Sequence, residues 1–136
     1  MRKKTMLIVA AMPLLAGCFG YKPFQPNPYE YERWSKPDDS EFAIRKAMLE
    51  CGYPSPNGVR DRMISLSTTP DEIVLMYKCM SNSGYLYDGK KYNVCQHGYA
   101  DVVSCKPGAV APERKVSRRL DSRFCRAFPN ADACEP

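Results

Sequence analysis

The chain is poor in the residues that usually carry catalysis. Its 136 residues include one histidine and one tryptophan. Any Ser-His-Asp arrangement would therefore have to use His97, and a lone histidine is more often a surface or hydrogen-bonded residue than a general base. There is no Gly-x-Ser-x-Gly elbow. There is also no Cys-x-x-Cys of the kind found in thiol oxidoreductases. Paired histidines at metal-ligand spacing are missing, and the single Cys/His grouping, Cys95-Gln96-His97, would need ligands from elsewhere and competes with disulfide formation. No glycine-rich loop stands ready to cradle a phosphate. The carboxylate pairs Asp38-Asp39 and Asp71-Glu72 fall at expected helix starts, where the helix dipole accounts for them. These absences lead us to expect no enzymatic activity, no cofactor and no metal. No apolar run is long enough to cross a hydrocarbon core of about 30 Å.

What is abundant is cysteine and proline, with seven and 12 respectively. Length allows one small domain, and 44% hydrophobic with 26% charged residues is ordinary for a folded chain. The N-terminus has a different character. Arg2, Lys3 and Lys4 precede an 11-residue apolar run from Met6 to Ala16, which ends in Leu15-Ala16-Gly17-Cys18. A basic start, a short apolar stretch and small residues at its end describe a secretory signal. The tetrapeptide resembles a bacterial lipobox. The resemblance implies cleavage before Cys18, a diacylglyceryl thioether on its sulfur and acylation of the new amino group, hence several acyl chains and stable anchoring. Residues 1–17 would then be signal peptide. Removing Arg2, Lys3 and Lys4 leaves 17 basic residues against 15 acidic ones, so most of the basicity belongs to the signal. By the sorting rule of enteric lipoproteins, Phe19 rather than Asp after the lipidated cysteine implies export to the outer membrane of a Gram-negative envelope.

Beyond Cys18, residues 18–37 read as a lipidated cysteine and a tether. Pro23, Pro26, Pro28 and Pro37 favour extended backbone, and the last aromatics, Trp34 above all, are expected to pack onto the domain of residues 38–136. The domain reads as mainly α, with about three helices and a short β-hairpin. A first helix is expected from Asp39 to Cys51, capped by Asp38 and Glu41, with Ile44, Ala47, Met48 and Cys51 as its buried stripe. Glu41–Arg45 and Lys46–Glu50 are its i,i+4 pairs, and Gly52-Tyr53 its ending. Asn57-Gly58 signals a turn, after which Met63, Ile64 and Leu66 read as a packed loop or short extended piece. A second helix starts at Thr69-Pro70-Asp71-Glu72, an N-cap with proline in the first turn and a capping-box glutamate, and runs to about Asn82 with Ile73, Met76, Tyr77 and Met80 as its apolar face. Gly84-Tyr85 repeats the Gly-Tyr ending. Asp88-Gly89 between tyrosine-rich flanks predicts a two-residue hairpin turn. Residues 106–113 read as linker, and a third helix is expected from Glu113 to Phe128, with Val116, Leu120, Phe124 and Phe128 at every fourth position.

Trp34-Ser35-Lys36-Pro37, Cys51-Gly52-Tyr53 and Cys79-Met80 with Gly84-Tyr85 together resemble a loose class of small bacterial lipoproteins. In that class a Trp-x-Lys-Pro-Gly segment precedes a cysteine-bearing helix and a Cys-Met-x-x-x-Gly-Tyr element follows. Asp38 stands where that pattern has Gly. The resemblance covers residues 34–85 and implies no activity.

Spending Cys18 on lipid leaves six cysteines, an even number in an oxidising compartment, so three disulfides are expected. Cys51 at the end of the first helix and Cys79 late in the second can meet if the helices pack, which suggests Cys51–Cys79. Nearest-neighbour pairing of the rest gives Cys95–Cys105 and Cys125–Cys134. A crossed Cys105–Cys125 bond would instead clamp the third helix.

One charge asymmetry remains. Residues 106–126 carry seven basic and two acidic side chains. Arg114, Lys115, Arg118, Arg119 and Arg123 form either a solvated helix face or a surface for an anionic envelope polymer, lipid headgroups or an acidic protein. Nucleic acid is not an expected partner in this compartment. The composite expectation is a lipid-anchored, non-enzymatic envelope protein with a structural or partner-binding role. The rival is a periplasmic module that inhibits an enzyme such as lysozyme. The known disulfide-bonded inhibitors of that kind are largely β.

Overall fold

In the computed structural model, residues 25–60 and 68–136 are described. The signal and lipobox ending at Cys18, and Met63, Ile64 and Leu66, lie outside them.

Chain entry is organised by Glu30. A 3₁₀ turn spans Glu30–Arg33 and leads into a two-residue strand β1, Trp34–Ser35. The Glu30 backbone amide donates to the Asn57 carbonyl at 3.0 Å. Its carboxylate accepts from the Tyr53 hydroxyl at 3.2 Å and from the Val59 amide at 3.0 Å. The packed unit thus takes in Glu30–Ser35, upstream of the boundary expected at residue 38. Trp34 is 2% exposed, and truncating so buried an aromatic costs about 3–5 kcal/mol.

Helix α1 spans Glu41–Glu50. Its cap is Ser40, whose hydroxyl accepts the Ala43 amide at 3.2 Å, and not Asp38. Asp38 instead has φ 67, the left-handed conformation that favours glycine, at the place where the resembled class carries Gly. Ile44, Ala47, Met48 and Cys51 are buried as expected. Leu49 and Glu50 are buried too, so α1 is covered on two sides. Helix α2, Pro70–Asn82, has the full capping box: the Thr69 hydroxyl accepts the Glu72 amide at 3.2 Å, and the Glu72 carboxylate accepts the Thr69 amide at 2.7 Å.

Both helices end the same way. The Tyr53 amide donates to the Met48 carbonyl at 3.0 Å and the Gly52 amide to Leu49 at 3.0 Å. In α2 the equivalents are Tyr85 to Met80 and Gly84 to Ser81, each at 3.1 Å. These are Schellman endings, which need positive φ at the residue after the cap. Gly52 and Gly84 have φ 94 and 87. The following tyrosines, each 1% exposed, return into the core.

After α2 the strand β2, Leu86–Tyr87, pairs antiparallel with β1, Trp34 opposite Tyr87 and Ser35 opposite Leu86. The expected hairpin is reduced to one bridge between Tyr87 and Lys90 around a turn in which Asp88 and Gly89 both have positive φ. Such a turn matches the twist of a hairpin. The pairing partner of Leu86–Tyr87 is nonetheless β1, because Trp34 offers Tyr87 a buried edge-on contact at 4.8 Å.

The expected third helix is two short ones, α3 (Val116–Leu120) and α4 (Arg123–Ala127). Asp121 closes α3, and the Ser122 hydroxyl caps α4 by accepting the Cys125 amide at 3.1 Å. The four-residue spacing does not become a stripe: Val116, Leu120 and Phe128 are exposed, and Phe124 alone is buried. The regular structure is mainly helical with a two-stranded antiparallel sheet.

Two apolar clusters flank α1. The larger joins Trp34, Tyr53, Tyr85 and Tyr87 to Ile44, Met48, Met76 and Met80. The smaller joins Leu49 to Phe124, Cys125, Ala133 and Cys134. Three disulfides tie the unit together: Cys51–Cys79, Cys95–Cys105 and Cys125–Cys134, with Cα separations of 5.5, 5.6 and 5.4 Å. In the loop-entropy account the first, with a sequence separation of 28, removes about 3–4 kcal/mol of denatured-state freedom. Each of the shorter two removes about 2–3 kcal/mol. Among the described residues no helix is long and apolar enough to cross a membrane.

Candidate functional site

Three of the seven basic side chains of residues 106–126, Arg114, Arg118 and Arg119, turn inward, and the other four are exposed. Glu50, at the end of α1, is buried, and its carboxylate gathers two of the arginines expected on a binding face. Arg114 donates to Oε2 through Nε at 2.8 Å and Nη2 at 2.6 Å, and Arg119 donates to Oε1 through Nε at 3.1 Å. Arg119 is 2% exposed and also donates to the carbonyls of Ala133 and Glu135. Arg118 donates to the Glu50 carbonyl at 2.6 Å and to the Glu113 carbonyl at 2.9 Å. Of the five residues read as an anionic-partner surface, Arg114, Arg118 and Arg119 therefore hold the C-terminal third onto α1. Lys115, the residue before α3, and Arg123, the first residue of α4, remain exposed and belong to different elements. The continuous stripe does not form, because burying Glu50 demands compensating donors. The i,i+4 partner expected for Glu50, Lys46, reaches the Pro136 carbonyl and lies over the Phe42 ring instead. The clamp extends outward: Arg114 Nη1 donates to the Tyr85 hydroxyl at 3.3 Å, and that hydroxyl donates to Asp39 at 2.6 Å.

The open chemistry lies beside α2, in a cleft of about 670 Å³. Its floor is Tyr77 from α2 and Tyr87 from β2, whose hydroxyls are 3.2 Å apart and whose rings are 5.3 Å apart. Tyr92 packs on both, at 5.5 and 4.8 Å, and His97 stacks on Tyr92 at 4.7 Å with the planes 9° apart. Tyr99 completes the aromatic wall. On the rim Arg33 reaches across from the entry turn, donating through Nε to Asp88 at 3.1 Å while its guanidinium lies 4.3 Å above the Tyr87 ring. Lys90 and Lys91 follow the turn and are exposed.

Local chemistry holds this wall in place. The Asn93 side chain accepts the Cys95 amide at 3.2 Å and starts a 3₁₀ turn, Val94–Gln96. The Cys95–Cys105 bond then closes the loop. The Ser81 hydroxyl donates to the Tyr92 carbonyl at 3.2 Å, and the Ser104 amide donates to Asp71 at 2.9 Å. Lys78 donates to the Ser104 carbonyl. Burial pushes the Tyr77 phenol up, helped by the nearby Glu30 carboxylate, and burial likewise raises Tyr87 and Tyr92. The Arg33 hydrogen bonds hold the Asp88 carboxyl below the usual range. Tyr77, Tyr87 and Tyr92 are thus uncharged rings beside fixed charges.

His97 serves here as a ring stacked on Tyr92, and Cys95 as half of a disulfide. Among the described residues no group of three or more His, Cys, Asp or Glu is arranged to hold a metal ion. Sequence reasoning missed both Glu50 and the cleft. A signal for Glu50 existed in its place three residues after the buried Ala47, beside a cysteine, in a chain whose basic excess lies far downstream. The cleft had the weaker signal of tyrosines at 77, 87, 92 and 99. Compared with protein-family models, with curated proteins and with solved structures, the chain matches none.

Proposed function

We propose that this chain is a lipid-anchored, non-enzymatic protein of the Gram-negative envelope with a partner-binding role, held at the outer membrane through Cys18. The observation that carries the proposal is the cysteine bookkeeping. Six cysteines are joined in three disulfides, and the seventh, Cys18, ends the tetrapeptide Leu15-Ala16-Gly17-Cys18. Disulfides belong to oxidising compartments, and a lipobox cysteine belongs to the membrane surface of such a compartment. The binding role is supported by the aromatic cleft. Non-enzymatic character is supported by the work that the carboxylates already do: Glu50 clamps arginines, Asp88 pairs with Arg33, Asp71 and Glu72 hold backbone amides, and Asp39 takes the Tyr85 hydroxyl. Mainly helical architecture favours this reading over inhibition of lysozyme, for which the known disulfide-bonded modules are largely β.

The anchor has a direct test. Intact-mass analysis of protein from a bacterial envelope should give a chain starting at Cys18 with a mass increment for acyl chains. The Cys18→Ser variant should lose the increment and leave the membrane fraction. A mature wild-type chain without acyl chains overturns the anchor.

A further inference from the structure

We propose that the cleft beside Tyr92 and His97 binds a saccharide bearing an anionic substituent, a carboxylate or a phosphate on an amino sugar. The inference deepens the partner-binding reading above and rests on it. Flat aromatic faces beside a few fixed polar groups suit a pyranose, whose C–H face is apolar and whose edge is a ring of hydroxyls. His97 lines the cleft, is exposed and is stacked on Tyr92 by one face, so its ring keeps a face that a sugar can stack on. Hydroxyls at the sugar edge meet the Arg33–Asp88 pair, whose members are 43% and 54% exposed and keep donors and lone pairs free for a ligand.

Charge decides the class of sugar. Asp88 is engaged by Arg33. No ion pair among the described residues holds Lys90 or Lys91. Two neighbouring lysines at the rim, neither held in an ion pair, select an anionic substituent over a neutral glycan. The frame is fixed before binding by Cys95–Cys105 and by the Ser81 bond to Tyr92, which lowers the ordering cost of association.

A proline-rich peptide, the other common guest of tyrosine-lined grooves, fits less well. Such grooves present aromatic donors to peptide carbonyls. Here the one tryptophan lies outside the cleft lining and donates inward to Tyr53, the Tyr77 hydroxyl donates to Tyr87, and the rim carries the charges of Arg33, Lys90 and Lys91, for which a neutral proline peptide has no partner.

The test is calorimetric titration of the full oxidised chain in detergent. The probes are the N-acetylglucosamine–N-acetylmuramic acid disaccharide, glucosamine 4-phosphate, neutral chitobiose and a proline decamer. The acidic sugars should bind at least about tenfold more tightly than chitobiose, and the preference should shrink as salt rises. Which acidic sugar binds more tightly identifies the source, carboxylated wall glycan or phosphorylated lipid saccharide. The Lys90→Glu, Lys91→Glu double variant, at exposed positions, should keep its melting temperature and lose the acidic preference. His97→Ala should weaken every sugar by about tenfold. Equal affinity for chitobiose, tighter binding of the proline decamer, or no sugar binding at about 10 mM, weaker than any specific site, overturns the assignment. A chain that is acylated at Cys18 yet binds no acidic sugar defeats the cleft assignment alone. One that binds them without acyl chains defeats the anchor alone.

Discussion

Glu50 shows what one buried charge demands of a small domain. Its carboxylate has 7% side-chain exposure, and Arg119 has 3%. Desolvating such groups is tolerated only when each lone pair and donor finds a partner, and breaking a buried pair from one side costs more than the pair contributes. Glu50→Gln keeps the shape but leaves Arg119 charged and buried beside a neutral amide. It should destabilise the fold by about 3 kcal/mol, read as a fall in the urea midpoint. Glu41, also in α1, is paired with Arg45 at 3.6 Å on the surface, and Glu41→Gln should cost less than about 0.5 kcal/mol. Equal effects at the two positions would refute the clamp. Reading the helix alone assigns Glu50 to Lys46 by local spacing. The actual partners are 64 and 69 residues away, a distance that no periodicity encodes.

At the scale of elements, local chemistry was legible where the residues act within one turn. Thr69-Pro70-Asp71-Glu72 caps α2, and the two Gly-Tyr endings became matching Schellman turns. The start of α1 and the break between α3 and α4 were also written locally, in Ser40 and Ser122, but a competing signal covered each: Asp38 with capping-box spacing, and a four-residue apolar repeat. The pairing of Trp34–Ser35 with Leu86–Tyr87 and the convergence of Arg33, Tyr77, Tyr92 and His97 on one cleft are tertiary events, and only the richness in tyrosine hinted at them. The left-handed positions permit a prediction of opposite signs. A Cβ at Gly84 meets nothing closer than Lys36 Cε at 3.7 Å, so Gly84→Ala carries conformational strain without a clash. It should lose about 1 kcal/mol. Asp38, at φ 67, pays the reverse penalty now, and Asp38→Gly should gain about 0.5 kcal/mol. Thermal melts of the two variants check both signs, and stabilisation by Gly84→Ala would contradict the Schellman ending.

Taken whole, the molecule places tyrosines among the aliphatic side chains of its larger core cluster, and this leaves a mark on its pH response. Tyr53 is buried against Trp34 and Glu30, Tyr77 against Tyr87 near Glu30, and Tyr85 against Asp39 and Arg114. Burial raises all three phenols, with neighbouring carboxylates adding to it. In the unfolded chain these groups lose their protons near the ordinary value of about 10, while the folded chain still holds them. Between those limits the unfolded state binds fewer protons than the native state, so stability falls with rising pH. The contribution is fully present below about pH 10 and drains away above it. Denaturation midpoints should therefore hold steady from neutrality to about pH 9.5 and then drop steeply, with the phenolate absorbance of the buried tyrosines emerging together with the loss of helical circular dichroism. Tyr77→Phe, which removes one of the three phenols and keeps the ring in its stack, should make that alkaline drop shallower. A midpoint that stays level to about pH 11.5, or phenolate absorbance rising in full while the helices persist, would show that the tyrosines are not buried as a core.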